Sequence, residues 1–174
     1  MADQPPTRLP PIPPELEANI DEAITHYPMS KRSAVLPLLH LIQEHFGFLG
    51  EGTEQWVAQK LELQPIHVLE VISFYPMFRR HPAGKHHIRV CRTLPCALGG
   101  SFELMEQMCA LAKIDRSHVT HHEPIAVGAD GKFSIEFVEC LASCGTAPVC
   151  MINDEFYENV ADQATAKTLL EKYV

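Results

Sequence analysis

Apolar residues at Leu16, Ile20, Ala23, Ile24 and Tyr27 recur at helical spacing and stop at Pro28, which predicts an amphipathic helix. A second helix, capped by Ser30, is predicted through SKRSAVLPLLHLIQEHF and ends before Gly47. Pro37 falls inside that pattern, where it removes one backbone donor and should bend the helix or mark its first turns. Two shorter helices follow: one opens near Thr53 and carries Trp56, the other opens at Pro65, in the first-turn position that proline favours. These segments predict a helical N-terminal domain over residues 15–80, closing near SFYPMF.

From Lys85 the period changes. HHIRVC alternates as a strand does, with Ile88 and Val90 on one face and His87, Arg89 and Cys91 on the other. A loop, RTLPCALGG, leads to a helix through SFELMEQMCALAK, then to a short strand at PIAV. The turn GADG precedes KFSIEFV, in which Phe133, Ile135 and Phe137 alternate. APVCMIND predicts a last strand with a turn at Asn153-Asp154, and a final helix runs from an Asp162 cap to Tyr173. The resulting order, β-α-β-β-β-α over residues 81–174, belongs to an α/β class in which a small mixed sheet carries helices. A thioredoxin-like core fits that order, as other small α/β folds do. Ahead of everything, residues 1–14 hold six prolines and predict an extended, polyproline-type arm without a core of its own.

Composition narrows the function classes. With 22 acidic against 14 basic residues the net charge is -8, which argues against a nucleic-acid partner, since phosphates need a positive footprint. The one basic cluster, Arg79 to Arg89, reads as a solvated linker beside a strand. No apolar run approaches the roughly 20 residues of a spanning helix, so no membrane insertion is expected. The start, MADQPPTRLPPIPPE, has the pattern of neither a secretory signal nor a transit peptide. A cytoplasmic chain is therefore expected, and in that compartment clustered cysteines are metal ligands or redox groups more often than disulfides.

The chain has six cysteines. Cys91 and Cys96 are separated by four residues, Cys140 and Cys144 by three, and each pair sits where a strand gives way to a loop. Two such loops can converge four thiolates on a [2Fe-2S] cluster, in which each iron takes two protein sulfurs. A mononuclear zinc site also takes four cysteines, so spacing leaves a zinc-stapled interaction protein open. A dithiol redox motif is disfavoured because the chain contains no C-x-x-C. Cys109, on a helix face with Phe102, Met105 and Ala112, and Cys150, in an apolar strand, read as core residues.

Small residues in CALGG and CGTAP should let backbone N–H groups approach the sulfurs and help set a reduction potential. A cluster with four thiolates carries a charge of about -2, falling to about -3 on reduction. A low potential is expected on an acidic chain unless Arg89 and Arg92 offset it. The ten histidines, including HPAGKHH and the His121–His122 pair, lack partners at ligand spacing and are set aside as exposed residues. Neither a catalytic triad nor a phosphate loop is present, so no catalytic residue is assigned.

VCRTLPCALGG and VECLASCGTAPVCMIND, preceded by SAVLPLLHLIQEHFG and SFYPMF, resemble the thioredoxin-like [2Fe-2S] subunit of respiratory complex I. This is the family of the 24 kDa, or E-type, component of NADH-quinone oxidoreductase, with relatives in NAD-linked hydrogenases and formate dehydrogenases. The resemblance implies a thioredoxin-like [2Fe-2S] ferredoxin core behind a helical N-terminal bundle, with Cys91, Cys96, Cys140 and Cys144 as cluster ligands. It favours the cluster over zinc and leaves Cys150 outside the ligand set. It further implies a partner flavoprotein that binds FMN and NADH, and a place in the peripheral arm of the larger complex. The function implied is one-electron transfer inside an NADH-oxidising module, with the equivalent hydrogenase or formate dehydrogenase subunit as the neighbouring alternative.

Overall fold

Prolines open two of the four N-terminal helices in the computed structural model, which describes residues 8–120 and 123–173. Pro14 starts α1 (Pro14–Thr25) and Pro65 starts α4 (Pro65–Phe74), where a missing N–H leaves no intrahelical bond unmade. Ser30 precedes a short 3-10 segment, Lys31–Ala34, and α2 (Val35–Phe46) begins only afterwards. Pro37 is thereby the third residue of α2, so it marks the first turn and bends nothing. Gly47 ends the helix at φ 82°, a left-handed conformation that glycine adopts without a Cβ penalty, and its N–H bonds the Gln43 carbonyl at 2.7 Å. α3 (Thr53–Leu61) completes the set.

The chain divides into two compact units between Pro82 and Ala83. In the first, Ile20, Leu38, Leu39, Ile42, Val57 and Val68 form a closed apolar core. Gln43 is buried there with both ends of its amide satisfied: Nε2 donates to the Met77 carbonyl at 2.9 Å, and Oε1 accepts from the Arg79 N–H at 2.7 Å. Part of the proline arm departs from expectation. Its described residues are not loose, because the Leu9 N–H bonds the Glu51 carbonyl at 2.9 Å while Leu9 and Ile12 pack against the helical core. The basic cluster spans the boundary between the two units, as a linker does: Arg80 pairs with Glu54 at 2.9 Å, while Arg89 belongs to a strand of the second unit.

The second unit is a five-stranded mixed sheet with strand order β2-β3-β1-β4-β5. Its strands are β1 (His86–Cys91), β2 (Ala126–Val127), β3 (Phe133–Val138), β4 (Cys150–Ile152) and β5 (Glu155–Tyr157). Two of its elements were not expected. The loop after β1 contains a short helix, α5 (Leu94–Leu98), and EFY forms a fifth strand beyond the Asn153-Asp154 turn. α6 (Ser101–Ala112) and α7 (Gln163–Glu171) follow the predicted periods, and the Asp162 carboxylate caps α7 by accepting the Thr165 N–H at 2.9 Å. Ile88, Val90 and Ile135 from the sheet meet Leu104, Met108 and Leu169 from the helices in one core. Phe102 is half exposed at 51%, outside the buried face predicted for it, and meets Phe137 at a 57° tilt with ring centres 5.2 Å apart.

The opposite sheet positions are buried too, which corrects the view of the histidines. His87 lies inside: its Nδ1 meets Ser134 Oγ at 2.8 Å and its Nε2 meets Glu136 Oε1 at 2.8 Å. A polar face can be buried here because its groups satisfy one another across the β1–β3 pairing. His121 and His122 lie outside the described residues. Among the described residues no helix is long and apolar enough to cross a membrane.

Candidate functional site

The pairing of β1 with β3 decides where the cysteines go. The two strands run parallel, with Cys91 opposite Val138, so both chains leave the sheet at the same edge and the loops that follow start side by side. Antiparallel pairing would have sent them to opposite edges. Arg92 N–H bonds the Val138 carbonyl at 3.1 Å and Cys91 N–H bonds the Val149 carbonyl at 3.2 Å, tying the exit of β1 to both ends of the second cysteine loop. The Ala147-Pro148 peptide of that loop is cis.

The first loop turns at once into α5, which carries Cys96 back toward Cys91. Gly99 eases this approach: a Cβ there would stand 3.1 Å from the Ala147 Cβ and 3.2 Å from the Ala147 backbone, so a larger residue would push α5 and the second loop apart by a few tenths of an ångström. Cys91, Cys96 and Val149 form a small buried cluster of their own, flanked by Leu141 and Ala147. In the second loop, Cys144 opens a 3-10 turn, Cys144–Thr146, none of whose residues is buried. Cys140 is exposed as well.

All six cysteines are free thiols, and their surroundings differ. Burial pushes the Cys91 thiol up, but hydrogen bonds from the Thr93 side chain and from the Thr93 and Leu141 backbone outweigh it and hold the pKa below the ordinary value. The Thr93 hydroxyl stands 3.2 Å from Cys91 Sγ and donates to the Glu139 carbonyl, so this one side chain links both loops. Burial raises the Cys96 thiol, and its contact with Cys91 and the charge of Cys144 raise it further. Cys140 Sγ accepts the Ala142 N–H at 3.3 Å. Ala142 makes that bond from a left-handed backbone, φ 58°, which costs a non-glycine residue about 1 kcal/mol.

The two remaining cysteines stand apart. Cys150 is wholly buried in β4 and its pKa is pushed up to about 12 by that burial. Cys109 is buried in α6, 3.9 Å from Met105 Sδ, and burial carries it to about 11. Both behave as core residues.

A [2Fe-2S] cluster asks for two pairs of thiolates, and the loops after β1 and β3 each carry one such pair from neighbouring strand ends. Cys91 and Cys96 contact each other, and Cys144 lies near enough for its charge to reach the Cys96 thiol.

Arginines contribute less than expected. Arg92 is ion-paired with Glu139, and Arg89 donates to the Asn153 carbonyl, at the β4–β5 turn and away from the cysteine end of β1. Arg89 therefore does not offset charge at the thiols, and Arg92 does so only together with an adjacent carboxylate. One polar group at the site was not anticipated. Glu158 Oε1 accepts hydrogen bonds from Ser143 and from Thr146, at 2.6 Å for the latter, on either side of Cys144. Nothing in its local sequence points to this, because the contact spans the whole β4–β5 hairpin.

The thioredoxin-like [2Fe-2S] ferredoxin family profile matches residues 20–174. The E component of NADH-quinone oxidoreductase from Rickettsia typhi is 40% identical over 148 residues, which cover 84% of this chain and 82% of the relative. NADH-quinone oxidoreductase subunit 2 of Thermus thermophilus is 36% identical over 152 residues, covering 87% of this chain and 80% of the relative. Among solved structures, an NAD+-reducing [NiFe]-hydrogenase in the air-oxidized state aligns with a TM-score of 0.60 at 21% identity, covering 80% of this chain and 22% of that one. At that identity the match speaks for the fold alone.

Proposed function

The chain belongs to the thioredoxin-like [2Fe-2S] ferredoxin family, and on that premise we propose that it is an electron-transfer subunit of the NADH-oxidising module of NADH-quinone oxidoreductase, with Cys91, Cys96, Cys140 and Cys144 as the ligands of one cluster. The observation that carries this reading is the parallel β1–β3 pairing, which starts both cysteine loops at one sheet edge. A [2Fe-2S] cluster held there supplies a centre that takes up and gives back one electron.

The chain's own residues do the rest. Cys91 and Cys96 hold one side in an apolar pocket that keeps water out, while the backbone N–H groups of Ala142 and Thr93 are donors to sulfur. Cys140 and Cys144 stand exposed, and α5, which lies against the Cys144 turn, carries the exposed Leu94 and Leu98, where a partner protein can approach. In this reading that partner is a flavoprotein carrying FMN and binding NADH, where the chemistry on NADH takes place. The assembly is the peripheral arm of the complex, which places the protein in the cytoplasm at the inner face of the membrane. In this reading residues 1–14 are an arm, 15–80 a helical domain and 81–174 the cluster domain, a division supported by the separate cores on either side of Pro82.

An affinity-tagged chain isolated anaerobically from its own cells tests the assignment. It should bring down a flavin-containing, NADH-oxidising protein together with quinone-reducing subunits. Recovery with hydrogenase or formate dehydrogenase subunits, and never with quinone-reducing ones, would overturn it.

A further inference from the structure

The Cys144 turn lies against α5 but puts no residue into the core. None of its residues is buried, and a Cβ on Gly145 would meet nothing within 4 Å. Polar ties therefore carry much of its geometry, and these converge from one segment, Glu158 to Val160, between β5 and α7. The Asn159 N–H bonds the Thr146 carbonyl at 2.8 Å, and the Val160 N–H bonds the Pro148 carbonyl at 3.1 Å. Val160, 2% exposed, anchors the segment in the core of the sheet unit. The Glu158 side chain completes the clasp by accepting from the hydroxyls of Ser143 and Thr146, which themselves approach to 2.7 Å. A lone surface contact of this kind contributes little. Here the backbone ties deliver the carboxylate to a fixed place, and its two donors bracket the thiol.

Resting on the reading of Cys144 as a cluster ligand, we propose that Glu158 is a positioning residue of the site: its carboxylate sets the Cys144 turn in the geometry that the cluster requires. Charge is secondary in this role and acceptance is primary, so a neutral acceptor of the same reach should serve.

The test uses the full cluster-loaded chain and the variants Glu158→Ala, Glu158→Gln and the pair Ser143→Ala with Thr146→Val. Iron release to a ferrous chelator and the EPR line shape of the reduced protein are read, with far-UV circular dichroism as the check on folding. Loss of an outer hydrogen-bond partner weakens a metal site by about tenfold or more, so Glu158→Ala should release iron about tenfold faster with an altered line shape. Glu158→Gln should stay within about twofold of the parent. The Ser143/Thr146 pair should match Glu158→Ala, and combining all three changes should add nothing. Release and line shape unchanged in Glu158→Ala would overturn the proposal. If that variant does not fold, parent-like release from the Ser143/Thr146 pair overturns it equally. A parent chain that carries no iron–sulfur absorption overturns the cluster reading itself, and this inference with it, which sets that failure apart from the other two.

Discussion

Cys91 and Cys96 are each 2% exposed, packed against Val149 and beside Leu141 and Ala147, whereas Cys140 and Cys144 stand exposed on a loop whose 3-10 turn buries nothing. The first pair is positioned by apolar packing, the second by hydrogen bonds, among them Ala142 N–H to Cys140 Sγ and the Glu158 clasp around Cys144. On the proposed reading the two arrangements have different tasks. The packed half would keep water from the sulfurs and lower the local dielectric, and the open half would give a partner access.

The largest expected effect tests whether the halves act as one site. Cys96→Ala and Cys144→Ala should each abolish stable cluster binding, measured as iron and sulfide per chain, although one position is buried and the other exposed. Cys150→Ala should keep full occupancy. Equal loss from Cys144→Ala and Cys150→Ala would break the ligand assignment.

Next comes accessibility. In the cluster-free chain at pH 8.5, iodoacetamide should label Cys140 and Cys144 about a hundredfold faster than Cys109 and Cys150, because the thiolate is the reactive form and burial disfavours it. Burial raises the two core thiols to about 11 and about 12, so both remain protonated at that pH. Labelling of Cys150 as fast as Cys144, read by peptide mass spectrometry, would remove the contrast.

Packing should then show in stability. Val149→Ala, at a wholly buried position behind Cys91 and Cys96, should cost about 2 kcal/mol in urea unfolding through lost burial and an unfilled cavity. A cost near zero would mean that the first half is not held by its apolar contacts. The smallest effect concerns the second half. Ala142→Gly relieves the left-handed strain and should change stability by no more than about 1 kcal/mol, on the favourable side, with the cluster retained. A clear loss of stability would show that the Ala142 methyl, rather than its N–H alone, supports the loop.

How far this was legible in the sequence follows from the range of each signal. The four N-terminal helices, α6 and α7 are long enough for their period to show, and the strand alternation of β1 and β3 places Ile88, Val90 and Ile135 in the core. The pairs Cys91–Cys96 and Cys140–Cys144 were visible as pairs because their spacing is local. α5 spans five residues and β5 three, too short to carry a period, and β5 is largely exposed, so no apolar signal marks it. The burial of His87 depends on Ser134 and Glu136 across a parallel register that no local pattern reveals. The direction of Arg89, toward Asn153 and away from the thiols, and the reach of Glu158 to the Cys144 turn are likewise products of tertiary structure. Even the described part of the arm, composed as if it had no core, finds one through Leu9 and Ile12.

The central claim is that two differently built loops jointly hold one two-iron centre. Anaerobic purification followed by metal and sulfide analysis, with EPR of the dithionite-reduced protein, tests it most directly. About two irons and two acid-labile sulfides per chain, with a paramagnetic signal that appears on one-electron reduction, are the predicted result. A colourless protein with one zinc per chain and no signal on reduction would contradict it.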